Sequence, residues 1–198
     1  MSVFDNLVGQ DHVVEVLETA ARDAATEPAG PTMNHAWLFV GPPGSGRSNA
    51  AIAFGAALVC PDAGCGSCED CVAVLAGTHP DVEVVRPEGL SYKTEEARNL
   101  VVRADMAPTR ARWHVIVLED ADRLTESANN VLLKSVEEPA SRSVWLLCAP
   151  SVEDLLPTVR SRCQVIGLRT PATDAVAVFL QGQGVDAGTA AFAARASM

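Results

Sequence analysis

A short apolar run, Ala36-Trp37-Leu38-Phe39-Val40, leads straight into Gly41-Pro42-Pro43-Gly44-Ser45-Gly46-Arg47-Ser48. The run has the form of a strand covered on both faces, and Asn49–Val59 reads as a helix of small residues. Gly41-x4-Gly46-x-Ser48 between a strand and a helix aims backbone N–H groups at phosphate oxygens. Gly41, Gly44, Ser45, Gly46, Arg47 and Ser48 are therefore candidate nucleotide-binding residues, with the Ser48 hydroxyl placed for magnesium. Arg47 stands where such loops carry lysine. It keeps the charge but is longer, planar and forked, so it does not sit as a lysine point charge does. A glycine-rich turn with no ligand is the bland alternative. Whether ATP and magnesium are bound or hydrolysed is left open by the loop alone.

A hydrolysing site of this class needs a carboxylate at the end of a second strand to hold magnesium, and often another to orient water. Val115-Ile116-Val117-Leu118 followed by Glu119-Asp120-Ala121-Asp122 supplies both strand and acids. Around these segments strands and helices alternate. Val82–Val85, Trp113–Leu118, Val144–Ala149 and Gln164–Leu168 read as strands. Gln10–Ala24 reads as a helix with Val13, Val14, Leu17, Ala20 and Ala21 on one face. Thr94–Met106 is a second helix with Thr94 as N-cap, and Ser127–Glu137 a third, with Leu132, Leu133 and Val136 inward and Pro139 as its stop. This order predicts an α/β fold with a five-stranded, mostly parallel sheet and ligands at the carboxyl ends of its strands. Residues 1–170 make that core. From Pro171 a helix over Ala172–Leu180, a break at Gln181-Gly182-Gln183-Gly184 and an alanine-rich stretch to Met198 read as the start of a helical lid domain, cut short.

Cys60-x4-Cys65-x2-Cys68-x2-Cys71 groups four of the six cysteines. Four thiolates around one tetrahedral zinc satisfy that spacing and leave no open position, so the metal is expected to be structural. An iron–sulfur cluster is the rival, because Cys65, Cys68 and Cys71 match part of a ferredoxin run; position 75, where the run continues, is Leu75. Cys148 reads as core, and His79, before Pro80, as a turn residue rather than a ligand.

The formal net charge of -10 disfavours a chain that grips nucleic-acid phosphates over its whole surface. Arg103, Arg110 and Arg112 lie close in sequence, and a solvated face is favoured over a basic patch. Few basic or aromatic residues surround the cysteines, which weighs against a sequence-specific DNA-binding zinc protein. No apolar run reaches the ~18 residues of a membrane span. Met1-Ser2-Val3-Phe4-Asp5 carries no secretion signal, so the chain is expected in the cytoplasm.

Taken together, Val8-Gly9-Gln10, the loop, the inserted cysteine module, Leu132-Leu133-Lys134-Ser135-Val136-Glu137-Glu138-Pro139 and Ser161-Arg162-Cys163 resemble the clamp-loader branch of the AAA+ ATPases. Within it they resemble the delta-prime family of bacterial DNA polymerase III, over about residues 1–170. The resemblance implies an AAA+ core and a role in loading the sliding clamp onto primed DNA, beside gamma/tau and delta subunits in a hetero-oligomeric ring. It places Val8, Gly9 and Gln10 beside the adenine, and gives Arg162 the part of an arginine finger acting on a neighbour's nucleotide.

Three departures from the active pattern bear on hydrolysis. They are Arg47, the reversed acids Glu119-Asp120, and Ala149-Pro150 where motor subunits place a polar γ-phosphate sensor. The gap of four residues between Cys60 and Cys65 is also shorter than the family's. The resemblance thus implies a non-motor subunit whose own ATPase is absent or weak. A weakly active motor of the gamma/tau type is the alternative.

Overall fold

The computed structural model describes residues 2–196; Met1, Ser197 and Met198, and with them the end of the expected 171–198 segment, lie outside the described residues. Five strands form one parallel sheet: β1 (Ala36–Val40), β2 (Val82–Val85), β3 (His114–Leu118), β4 (Ser143–Ala149) and β5 (Gln164–Gly167), in the order β2-β3-β4-β1-β5. The helices are α1 (Asp11–Ala24), α2 (Arg47–Val59), α3 (Glu69–Leu75), α4 (Thr94–Ala104), α5 (Glu126–Glu137), α6 (Pro157–Arg160), α7 (Thr173–Gly182) and α8 (Ala187–Ala196).

Successive strand residues point to opposite faces, and both faces are covered. One face of β1, β3 and β4 presents Trp37, Phe39, Val115, Val117, Leu146 and Cys148 to α1 and α2. The other presents Leu38, Val40, Ile116, Leu118, Trp145 and Leu147 to α4 and α5. This is why β1, β3 and β4 are buried at every residue and read as continuous apolar runs. Burying a large apolar side chain such as Phe54, which meets Trp37 edge-on at 4.8 Å, stabilises the fold by about 1.5–3 kcal/mol.

Three local readings change. Helix α4 is capped by Lys93, whose N–H bonds the Glu96 carboxylate; the Thr94 hydroxyl is instead engaged by Ser127 on α5, 2.7 Å away. Leu133 is half-buried, and Asn129 takes the inward place, donating to the Leu124 carbonyl at 3.1 Å. Helix α3 begins inside the cysteine cluster, where sequence patterning alone gave no helix. Beyond Pro171, α7 and α8 pack against each other. Among the described residues no helix is long and apolar enough to cross a membrane.

Candidate functional site

Strand register brings the candidate loop and acids to one edge. Val40 pairs with Ala149 and with Gly167, while Leu118 pairs with Leu147 and Val85. Gly41, Arg86, Glu119, Pro150 and Leu168 therefore leave the sheet together at its carboxyl end. The loop needs glycine for two reasons. Gly44 and Gly46 both sit at φ 82°, a left-handed backbone. At Gly41 an added Cβ would lie 2.5 Å from the Ser45 hydroxyl and 2.8 Å from the Leu168 carbonyl oxygen. The first turn of α2 begins at Arg47, so its unpaired amides face out of this turn.

Arginines fill the space around the acids. Arg47 donates to the Gly41 carbonyl at 2.9 Å and lies 3.6 Å from Asp120. Arg86 grips Glu119 with two hydrogen bonds of 2.6 and 3.2 Å, which hold the guanidinium firmly protonated. Arg123 approaches the other oxygen of Asp120 at 3.8 Å. The hydroxyl of buried Tyr92 donates to the Glu119 carbonyl at 2.6 Å and lies 3.0 Å from the Val85 carbonyl, fixing the turn that presents these acids. Behind the loop, burial pushes the Cys148 thiol up to about 12, so it stays a neutral core group. The Ala149 carbonyl accepts the Gly41 N–H, and Ala149-Pro150 offers no side-chain donor.

Beside the loop lies a cavity of about 280 Å³. Leu7, Val8, Val176, Phe179 and Leu180 form its apolar wall, and Gly44, Ser45 and Gly46 form one end. Buried Gln10 closes the wall by donating to the Arg169 carbonyl at 2.5 Å and the Ser45 carbonyl at 3.4 Å. Val8 and Gln10 thus line the cavity directly. Gly9 sits at φ 70°, packed near Pro171 rather than facing the cavity.

The four cysteines make a compact metal-binding cluster. All four sulfurs lie within 4.8 Å of one another, with Cys60 3.7 Å from both Cys65 and Cys68. A tetrahedral ion with ~2.3 Å metal–sulfur bonds sets sulfurs about 3.8 Å apart, so the set fits such an ion. Main-chain N–H groups of Cys65, Cys68 and Cys71 each point at the sulfur of the preceding ligand at 3.4 Å. Amides from Ser67 and Cys68 draw the Cys65 thiol down to about 6, while burial raises Cys68 and Cys71. Four thiolates complete the shell, so a bound ion would cross-link Cys60, at the end of α2, to α3 rather than take part in a reaction.

His79 lies outside this set. Its Nδ1 accepts the Asp81 N–H at 3.1 Å and its Nε2 lies 3.2 Å from Asp70, so both ring nitrogens are engaged. The three clustered arginines are paired: Arg103 with Glu83, Arg110 with Glu69 and Asp70, and Arg112 with Glu27 and the Ala25 carbonyl. Each is neutralised by a different acid.

Arg162 stands apart from the loop. It follows α6 and precedes the edge strand β5, at the amino end of the sheet. It is exposed, donating to the Thr158 carbonyl at 2.8 Å and the Ser161 hydroxyl at 3.3 Å, with an ion pair to Glu137 at 2.6 Å.

The family described as DNA polymerase III, delta subunit, matches residues 10–172. The chain belongs to this family. It is 38% identical to the DNA polymerase III delta' subunit of Pseudomonas aeruginosa over 65% of its length and 41% of that protein's. It is 33% identical to the delta' subunit of Bacillus subtilis, covering 68% of the chain and 42% of the relative. It is 35% identical to the gamma/tau subunit of Mycobacterium bovis, covering 80% of the chain and 27% of the relative. The chain thus spans well under half the length of these relatives. Among solved structures, a gamma subunit-related protein of Thermotoga maritima superposes with TM-score 0.58 at 20% identity, over 90% of this chain and 57% of that one. The RuvB Holliday junction branch migration motor of Thermotoga maritima gives 0.59 at 17% identity, over 96% of this chain and 57% of that one. The five-stranded parallel α/β core of this family member has the fold of these two solved structures, with the four-cysteine cluster set where α2 leads into α3.

In this family member the site holds residues that motif reading did not supply. Arg86 and Arg123 neutralise the acids, and Val176, Phe179 and Leu180 wall the cavity. The signal for Arg86 was present: it is the first residue after the apolar run Val82–Val85, as Glu119 is after Val115–Leu118.

Proposed function

We propose that this chain is a non-motor, delta-prime-type subunit of the bacterial clamp loader, helping to load the sliding clamp onto primed DNA. It would pack against gamma/tau and delta subunits and present Arg162 to a neighbour's ATP. The observation that carries this is the place of Arg162. Gly167 lies beside the end of β1, and the strand from Gln164 to Gly167 rises about 3.3 Å per residue. The strand β5 itself spans ~10 Å, and Arg162 lies in the turn before its amino end, exposed and at the opposite end of β5 from its own loop. A guanidinium there can stabilise charge developing on a γ-phosphate only if another subunit brings that phosphate. Arg47, the arginine-bound Glu119 and Asp120, and the donor-free Ala149-Pro150 support the non-motor part. The four cysteines are read as the ligands of one structural zinc. Residues 1–170 serve as the AAA+ core and 171–198 as the start of its lid.

In a loader reconstituted with Arg162→Ala, ATP turnover by the neighbouring motor subunit should fall by tenfold or more, while the chain's own melting is unchanged. Undiminished turnover would reject the role. The alternative, a weak ATPase of the gamma/tau type, draws on the charge kept at Arg47 and on the likeness to gamma/tau. Magnesium-dependent phosphate release by the purified chain, lost in Glu119→Ala, would favour it instead.

A further inference from the structure

We infer that the loop of residues 41–48 takes a nucleoside di- or triphosphate without a divalent cation. Two groups point to an anionic ligand. The Ser45 hydroxyl is buried inside the turn and has no hydrogen-bond partner among the described residues. Arg47 Nε, at the first residue of α2, is also buried and unpartnered. Ser45 lines the apolar cavity walled by Leu7, Val8, Phe179 and Leu180, and Arg47 stands two residues on, where α2 begins. A flat base in the cavity would leave its phosphates at Gly44–Ser48, with a hydroxyl and a guanidinium N–H ready to donate.

The donor set does not suit the cation that usually accompanies such phosphates. A divalent ion at this place needs free carboxylate oxygens. Both Glu119 oxygens are taken by Arg86, at 2.6 and 3.2 Å. The Asp120 oxygens face Arg47 at 3.6 Å and Arg123 at 3.8 Å. An incoming ion at Glu119 or Asp120 would have to displace three guanidinium groups from acids whose charge is already compensated, and the one oxygen of Asp122 that has no partner among the described residues is buried on the turn that follows them. Arg47 brings to the phosphates the positive charge the ion would otherwise bring, from a fixed point on the loop.

The inference rests on reading residues 41–48 as a nucleotide loop and not on the role proposed for Arg162, so its failure leaves the turnover test of Arg162 standing. The probes are mant-ADP and mant-ATP, titrated into the chain in excess EDTA and in millimolar magnesium. Dissociation constants should agree within about threefold between the two conditions. Arg47→Ala should weaken binding by about tenfold or more. Arg86→Ala combined with Arg47→Lys frees the acids, and magnesium should then tighten binding by about tenfold. Saturable binding by the unmodified chain that magnesium tightens beyond threefold would overturn the inference. So would the lack of saturable binding at millimolar mant-nucleotide, or undiminished binding by Arg47→Ala.

Discussion

Asp81 ties the cysteine module to the sheet, and its replacement should cost a large share of the chain's stability. The residue is 1% exposed and precedes the edge strand β2. Its carboxylate accepts three main-chain N–H groups, from Thr109 at 2.5 Å, Arg110 at 2.8 Å and Ala111 at 2.7 Å. Around it, His79 links the Asp81 N–H to Asp70, and Arg110 reaches Glu69 and Asp70 at 2.9 and 2.8 Å. One carboxylate thus fixes the connection leading into β3 and, through its neighbours, α3. Asp81→Asn preserves shape but turns one acceptor oxygen into a donor. Oδ1 serves Thr109 and Oδ2 serves the other two amides, so one or two amides lose their acceptor and one meets an NH₂ group. Each buried donor left unmatched costs about 1–3 kcal/mol, which for one or two of them puts the loss at about 1–6 kcal/mol against a typical total of ~5–15 kcal/mol.

The pH dependence gives the prediction a second edge. Burial pushes the Asp81 carboxyl up, but the amides of Ala111, Thr109 and Arg110 outweigh it and hold its pKa below the usual range. A folded pKa below the unfolded value of ~3.9 means stabilisation that is fully present above that value and fades as pH falls through the folded one. Urea unfolding should therefore show a constant gap between the two proteins from neutral pH down to about 5, narrowing below about 4. A neutral-pH gap under ~0.5 kcal/mol, or one that widens in acid, would refute the reasoning.

Two further outcomes can be checked alongside. Elemental analysis should find one zinc per chain with no visible absorption, and Cys71→Ser should lower the metal content and the melting temperature together; a brown protein would reject the zinc reading. Gly41→Ala should damage the loop far more than Gly46→Ala. At position 41 the new Cβ meets the Ser45 hydroxyl and the Leu168 carbonyl, whereas at 46 nothing lies within 4 Å and only the left-handed backbone strain of about 1 kcal/mol applies. The reverse order in thermal melts would contradict this geometry.

Strands were legible because a doubly covered parallel sheet imposes long apolar runs: Ala36–Val40 and Val82–Val85 match the observed strands to the residue. The glycine loop and the four cysteines were legible because each motif encodes its own local geometry. What escaped depends on contacts across the chain. Thr94 has the composition of an N-cap, but Ser127 engages its hydroxyl from another helix. Helix α3 is seven residues long, too short for a periodic apolar face to declare it, and it is held by the cluster it joins. Phe179 and Leu180 belong to the helix read over Ala172–Leu180, with nothing in the sequence to say that they close a cavity beside a loop that ends at Ser48, far upstream in the chain.

Arg86 shows how much of the chemistry is set by register. As a residue in a sequence it is an ordinary arginine after a short strand. Val85 pairs with Leu118, so the next residues, Arg86 and Glu119, must emerge side by side whatever else the chain does. A one-residue slip would turn Arg86 to the opposite face and leave Glu119 free. The loss of a cation site therefore does not depend on Arg47 alone. Restoring lysine at position 47 would leave Glu119 in the grip of Arg86, so a single reversion should not recover magnesium binding. The proposed work of Arg162 is untouched by this, because it lies at the other end of the sheet. Contacts between unlike faces of successive subunits are what set one chain's amino edge against another's loop. In the proposed ring, the closed loop and the outward arginine would then act on two different nucleotides, and each was free to change without the other.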